Sequence, residues 1–354
     1  MKKTQVVDLF CWIWWLSHWF VKEGFDIIAW IDIEDSCKFA FEENNHAKFI
    51  SKDIREVTPD EINKLYDTDT KIRILVWCAP CQPFSLMNTK KGKYTEKEIN
   101  KKSPLDSFSK LISETQPDIV SMENVPWIAK AWKHKSFGRF IENLKSNWYL
   151  IWQNWIIDCT RYGIPQTRKR FVLIAAKEHI WKIHIHEKYL VEKPKTVRET
   201  IWNLEKIKHW KSSLIDKYHK ARSLSKKNLE RIKLVKKDWW SLQDIPSKYR
   251  PDCYQKKSWK SYVNNVYGRM KRDAPAPTMT TFCTGYGNGR FGHPDQDRAI
   301  SLREAARIQT FPDTYLFSPE WEKVAAIKIA KQIWNAVPVR LWEIIAGSIK
   351  DFIY

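Results

Sequence analysis

Ile72-Arg73-Ile74-Leu75-Val76-Trp77 runs directly into Cys78-Ala79-Pro80-Cys81-Gln82-Pro83-Phe84-Ser85, so an apolar strand delivers a cysteine beside a proline at its carboxyl end. Outward from this point, Val6–Phe10 and Ile27–Ile31 precede it as further apolar runs of strand length, and Ile119–Met122 and Phe171–Ala175 follow. Longer polar–apolar stretches lie between them, among them Ser36–Asn45 and Phe108–Thr115, and these have the pattern of helices. Alternation of this kind predicts an α/β fold with a mostly parallel sheet and helices on both faces. Ligands of such sheets gather at the carboxyl ends of the strands.

The chain has 354 residues, enough for one large domain with its own core and a smaller one. Residues 1–180 carry the strand–helix alternation. From 181 to about 320 the sequence is lysine-rich and dotted with proline, and it reads as a looser second domain. Residues 321–354 return to helical periodicity and are expected to pack back on the first domain. The charge is uneven: between Trp181 and Thr280 there are 25 Lys and Arg against 10 Asp and Glu, which is most of the excess behind the chain's net +20. Such a stretch reads either as a surface facing a polyanion or as a solvated lysine-rich face. No apolar run is long enough to span a bilayer. Met1-Lys2-Lys3 leads straight into a strand, which is not the form of a signal peptide. Seven cysteines without framework spacing favour free thiols in a reducing cytoplasm.

Cys81 can act as a nucleophile if its thiolate is stabilised, although a lone cysteine is more often a small buried hydrophobe. Its neighbours along the sheet edge favour chemistry. Met122-Glu123-Asn124-Val125-Pro126 ends another strand and brings a carboxyl group to the same edge. Gln166-Thr167-Arg168-Lys169-Arg170, just before Phe171–Ala175, adds two guanidinium groups.

Taken in this order, Pro-Cys-Gln, Glu-Asn-Val and Gln-x-Arg-x-Arg resemble the DNA (cytosine-5) methyltransferase family. The resemblance continues through Arg303-Glu304-Ala305-Ala306-Arg307-Ile308-Gln309-Thr310-Phe311-Pro312-Asp313 and closes on Gln332-Ile333-Trp334-Asn335-Ala336-Val337-Pro338, covering nearly the whole chain. The family's RNA-directed branch usually has Thr where this chain has Ser85, which favours DNA. The resemblance implies a Rossmann-like S-adenosylmethionine-dependent methyltransferase sheet with a smaller target-recognition domain. It implies Cys81 as the thiolate that adds to cytosine C6, Glu123 at the N3 edge of the base, and Arg168 and Arg170 as the arginines that hold the base and keep the thiol ionised. For S-adenosylmethionine it implies Asp8, Phe10, Cys11 and Ile13 around the methionine part, Asp32 on the ribose, Ile33 with Phe10 enclosing the adenine, and Asp53 and Ile54 beside it. Pro80, Asn335 and Val337 complete that set, and no metal is expected. The implied partner is double-stranded DNA, with a cognate restriction endonuclease acting separately; the protein itself is expected to be a cytoplasmic monomer with no membrane contact.

The chain departs from the family in one respect. The first loop reads Phe10-Cys11-Trp12-Ile13-Trp14-Trp15 where relatives have Phe-x-Gly-x-Gly-Gly, and Trp334 replaces the glycine of Gly-Asn-x-Val. Trp19, Trp30, Trp77, Trp127, Trp202, Trp239 and Trp240 also fall where relatives commonly carry glycine. Trp occurs 20 times and Gly 10 times, where average usage of about 7% gives roughly 25 glycines. Taken literally, indoles fill the cofactor loop and leave a catalytically impaired DNA-binding relative. Alternatively these codons are UGA, read as Trp in some bacterial codes and as Gly in others.

Overall fold

The computed structural model describes residues 3–10, 24–45, 47–78, 104–130, 135–180, 182–238, 245–255, 266–280 and 282–353. It divides into two compact units. The first comprises Met1–Asp158, Lys169–Tyr189 and Trp342–Tyr354, and the second Cys159–Arg168 and Leu190–Leu341. The return to the first unit thus falls at Trp342, and Arg168 and Arg170 belong to different units.

The first unit is built on seven strands: β1 (Thr4–Leu9), β2 (Asp26–Asp32), β3 (Lys48–Ser51), β4 (Ile72–Trp77), β5 (Ile119–Asn124), β6 (Tyr149–Asp158) and β7 (Lys169–Lys177). Their order in the sheet is β3-β2-β1-β4-β5-β7-β6. Strands β1 to β5 pair in parallel, and β7 runs antiparallel to both β5 and β6. The sheet is therefore mixed. Every residue of β1 and of β5 is buried, so both faces of these central strands are covered and neither strand alternates exposed with buried positions.

Helix α1 (Lys38–Asn45) follows β2 and α2 (Pro59–Leu65) follows β3. Thr58 and Glu61 close a reciprocal cap on α2, and Pro59 fits its first turn, where the missing N–H costs nothing. Helices α3 (Pro104–Thr115) and α5 (Lys135–Ser146), separated by the short α4 (Trp127–Lys130), pack on each other. Their aromatic residues meet the sheet: Trp77 stacks on Phe108 at 5.0 Å and Phe108 on Phe140 at 5.8 Å, all three fully buried or nearly so. Truncating Phe108 to Ala would cost about 3–5 kcal/mol by lost burial and the cavity left behind. Strand β4 ends at Trp77, and Cys78 is the next residue.

In the second unit, α6 (Val197–Ile201), α7 (Lys226–Leu234), α8 (Asp252–Gln255), α9 (Leu302–Ile308) and α10 (Ala326–Asn335) are joined by long connections. Gln166–Thr167 pairs in parallel with Ala276–Pro277. The helical tail is two helices, because the chain turns at Ala336-Val337-Pro338 before α11 (Val339–Ile353).

Candidate active site

Strand register explains which side chains meet at the carboxyl edge of the sheet. Trp77 on β4 stands opposite Met122 on β5, so the next residues, Cys78 and Glu123, come side by side. On the other flank Glu123 faces Val172 of β7, and Arg170, two residues before Val172, is its diagonal neighbour on the same face. The contacts follow: the Cys78 thiol donates to Glu123 Oε2 at 2.8 Å, and Arg170 Nε lies 2.8 Å from Oε1. Glu123 is 2% exposed, so its charge is compensated by a partner instead of water. Burial pushes the Cys78 thiol up, and the Glu123 carboxylate adds to the effect. Cys78 is therefore held as a thiol. The sequence reading did not single it out, because its proximity to Glu123 depends on register, which no local motif encodes. Cys81 and Pro80 lie outside the described residues.

Two more carboxyls stand at the ends of β1 and β2. Asp8 pairs in register with Trp30 and Val76, is 1% exposed, and neither of its oxygens meets a hydrogen-bond donor among the described residues. Burial, then the charge of Asp32, raises its carboxyl well above the ordinary aspartate range. Asp32 is 3% exposed and accepts from the Glu34 amide at 2.8 Å. Phe10 adopts φ +69° and is half-buried edge-on to Trp77, while Ile33 is 62% exposed. Asp53 caps the 3-10 turn Ile54–Glu56, and its ion pair with Arg55 holds its carboxyl low; Ile54 is buried in the core. Cys11 and Ile13 lie outside the described residues.

In the second unit, Arg168 is buried and its guanidinium reaches Gln166 Oε1 at 3.4 Å. Gln166 donates to Gln309 Oε1 at 2.8 Å, and Gln309 donates in turn to the carbonyls of Ile333 and Ala336, both at 2.8 Å. That chain of amides fixes the backbone on either side of Asn335, which is half-buried, and next to the buried Val337. The Arg303–Asp313 motif is largely structural. Glu304 takes a bidentate pair from Arg298 at 2.7 Å, Arg303 pairs with Asp216 and Arg307 with Asp313. Within the basic stretch, Lys237 pairs with Asp297 at 2.7 Å, across 60 positions.

Several tryptophans sit where the backbone or surroundings suit glycine. Trp148 follows α5 with φ +61° at 80% exposure, the left-handed position that usually ends a helix on Gly. Trp210 has φ +66° as third residue of a turn closed by the Lys211 amide on the Lys208 carbonyl. A bulky residue at positive φ costs about 1–2 kcal/mol. The buried indole N–H groups of Trp30, Trp77, Trp152 and Trp334 find no acceptor among the described residues.

A mixed seven-stranded sheet with helices between its strands gives the class, an α/β fold shared with solved methyltransferases. A prophage-encoded E. coli protein described as a DNA modification methyltransferase has the same fold, with a TM-score of 0.72 at 21% identity over 99% of each chain. The model of the C-5 cytosine-specific DNA methylase family matches residues 4–351, and this chain belongs to that family. The Type II methylase M.HgiDII of Herpetosiphon aurantiacus is 45% identical over 352 residues, 98% of this chain and 95% of the relative. The Type II methyltransferase M1.BsuMI of Bacillus subtilis is 31% identical over 81% of this chain and 62% of its own length. The chain is thus a DNA (cytosine-5) methyltransferase. Among the described residues, no helix is long and apolar enough to cross a membrane.

Proposed function

We propose that the chain transfers a methyl group from S-adenosylmethionine to C5 of a cytosine flipped out of double-stranded DNA, through the thiolate of Cys81. The observation that carries this reading is Glu123, buried at the sheet edge between Arg170 and Cys78. Cytosine C5 is too weakly nucleophilic to take a methyl unaided. Addition of the Cys81 thiolate at C6 makes C5 enamine-like and sends negative charge toward N3, where the Glu123 carboxyl, protonated for this step, donates its proton to offset it. After methylation C5 loses its proton, and the bond from Cys81 to C6 breaks to return the thiolate. Arg170 fixes Glu123, and Arg168 is assigned to the base. Extruding the base costs a few kcal/mol, offset by contacts in the pocket.

S-adenosylmethionine supplies the electrophilic methyl group. Asp8 supports its binding here: two buried acceptor oxygens without donors among the described residues, beside Asp32, fit a ligand that brings an ammonium and hydroxyl donors. Asp8, Phe10, Cys11 and Ile13 are assigned to the methionine part. Asp32, Ile33 and Ile54 are assigned to the nucleoside, with Asp53 positioning Ile54; Pro80, Asn335 and Val337 close the set. Residues 181–320 are assigned to DNA recognition. The Type II names of the relatives support a restriction–modification pairing, with the chain acting as a cytoplasmic monomer.

For the same protein we propose that the 20 tryptophan codons are UGA read as glycine by the host. Positive φ at Trp148 and Trp210 and the acceptor-less indoles support this, and 30 glycines lie nearer than 10 to the roughly 25 that average usage of about 7% gives. The mass of tryptic peptide Thr4–Lys22 from the native host should be that of the glycine form; the tryptophan mass would leave the impaired DNA-binding relative as the reading. The transfer itself is tested with 5-fluorocytosine at the target. The wild type should form a denaturation-resistant adduct, and Cys81→Ala should form none and lose methyl transfer. A Cys81→Ala protein with even about a tenth of the activity would refute covalent catalysis at Cys81.

A further inference from the structure

We propose that Cys78 is a positioning residue for the methyl-transfer reaction, its thiol fixing one oxygen of Glu123. The inference rests on the reading of Glu123 as the group that meets the base. A glutamate's terminal torsion is broad and nearly two-fold, so burial alone does not orient its carboxylate plane. Here the two oxygens have separate partners: Arg170 Nε forms an ion pair with Oε1 and the Cys78 thiol donates to Oε2, each at 2.8 Å. The partners differ in kind. Arg170 reaches in on a long side chain, 12% of which is exposed. Cys78 is 5% exposed, has a short side chain, and its amide is bonded to the Leu9 carbonyl at 3.4 Å. The thiol therefore ties the carboxylate to the β1–β4 backbone.

The bland alternative is a small apolar side chain that fills space beside Trp77. It predicts that volume matters and the donor does not. Tritiated methyl transfer to DNA by Cys78→Ala, Cys78→Val and Cys78→Ser distinguishes the two. Ala and Val remove the donor, and Val keeps the bulk. Both should lower kcat about tenfold, with KM for S-adenosylmethionine and the melting midpoint little changed. Ser, with an O–H donor, should recover most of the loss. In a Glu123→Gln background Cys78→Ala should cost nothing further, because the group it orients is already gone. Equal rates for Ser and Ala, an unaffected kcat in Ala and Val, or a Cys78→Ala loss that persists in full on Glu123→Gln would each overturn the proposal. An active Glu123→Gln single variant would instead refute the reading of Glu123.

Discussion

Arg170 Nε lies 2.8 Å from Glu123 Oε1 across the antiparallel β5–β7 pair, with 12% of one side chain and 2% of the other exposed. A carboxyl group this deep needs such a partner, and the pairing holds it at the sheet edge. Glu123→Gln keeps the shape and removes the acid. It should slow methyl transfer by about 10²–10⁴-fold, the range of a positioned acid–base group, and leave S-adenosylmethionine affinity nearly intact. Single-turnover rates set beside calorimetric cofactor binding check this. Equal losses in both would give Glu123 a purely structural role.

Asp8 sets stability against binding. Its carboxyl is raised by burial and then by Asp32. Below the ordinary aspartate pKa it is neutral whether folded or not and costs nothing. As pH climbs above that value the unfolded chain ionises while the buried group resists, so the fold loses stability with rising pH. Asp8→Asn should thus raise the melting midpoint more at about pH 8 than at about pH 5. It should also weaken S-adenosylmethionine binding, since the charge that meets the ligand is gone. An equal gain at both pH values would mean that Asp8 does not titrate in this way.

What the sequence made legible divides along the sheet. Strand β4 was readable to the residue as Ile72–Trp77, and β5 was readable apart from Glu123-Asn124, whose polar side chains hide its end. The two strands absent from the reading, β3 and β6, are the sheet's edges. β3 is only four residues long, and β6 carries exposed Trp155 and Ile156 and a register shift between Ile151 and Gln153 that breaks its alternation. Glu123 was visible as a carboxyl that ends an apolar run, whereas Asp8 and Asp32 came from the family resemblance. Cys78 and the Lys237–Asp297 pair were not, since each depends on a partner distant in sequence and brought close only by the fold.

The second unit should be acid-labile through Glu304. Burial works to raise this carboxyl, yet the Arg298 guanidinium outweighs it and pulls it down to about 2. A depressed carboxyl contributes stability above its unfolded pKa, and that contribution fades as pH falls through the folded one. Stability should therefore drop from about pH 4.5 toward about pH 2. Glu304→Gln strands Arg298 in the interior, should cost about 3–5 kcal/mol at neutral pH, and should flatten that part of the acid limb. Urea unfolding across this range measures both. A variant with the wild-type acid limb would rule out Glu304 as its source.

The last expectation concerns the basic surface of the second unit. Helix α7 begins with Lys226 and Lys227 behind the Ser225 cap, and no acidic residue lies in its first turn. Cations there oppose the helix dipole, so the pair weakens the helix that carries it, by roughly 0.3–1 kcal/mol per charge at low salt. Both side chains are exposed, as is Lys236, whereas Lys237 is engaged by Asp297. If Lys226 and Lys227 meet DNA phosphates, affinity should fall with salt by about 0.9 log unit per log unit for each phosphate neutralised. Lys226→Ala/Lys227→Ala should then flatten the salt slope by about 1.8 and weaken binding to all sequences alike, because phosphates carry no base information. Removing the two charges should leave the helix no less stable, so the loss is separable from unfolding. Lys237→Ala serves as the contrast and should change the slope less. Binding titrations over a salt series decide the matter, and a double variant with the wild-type slope would place α7 away from the DNA.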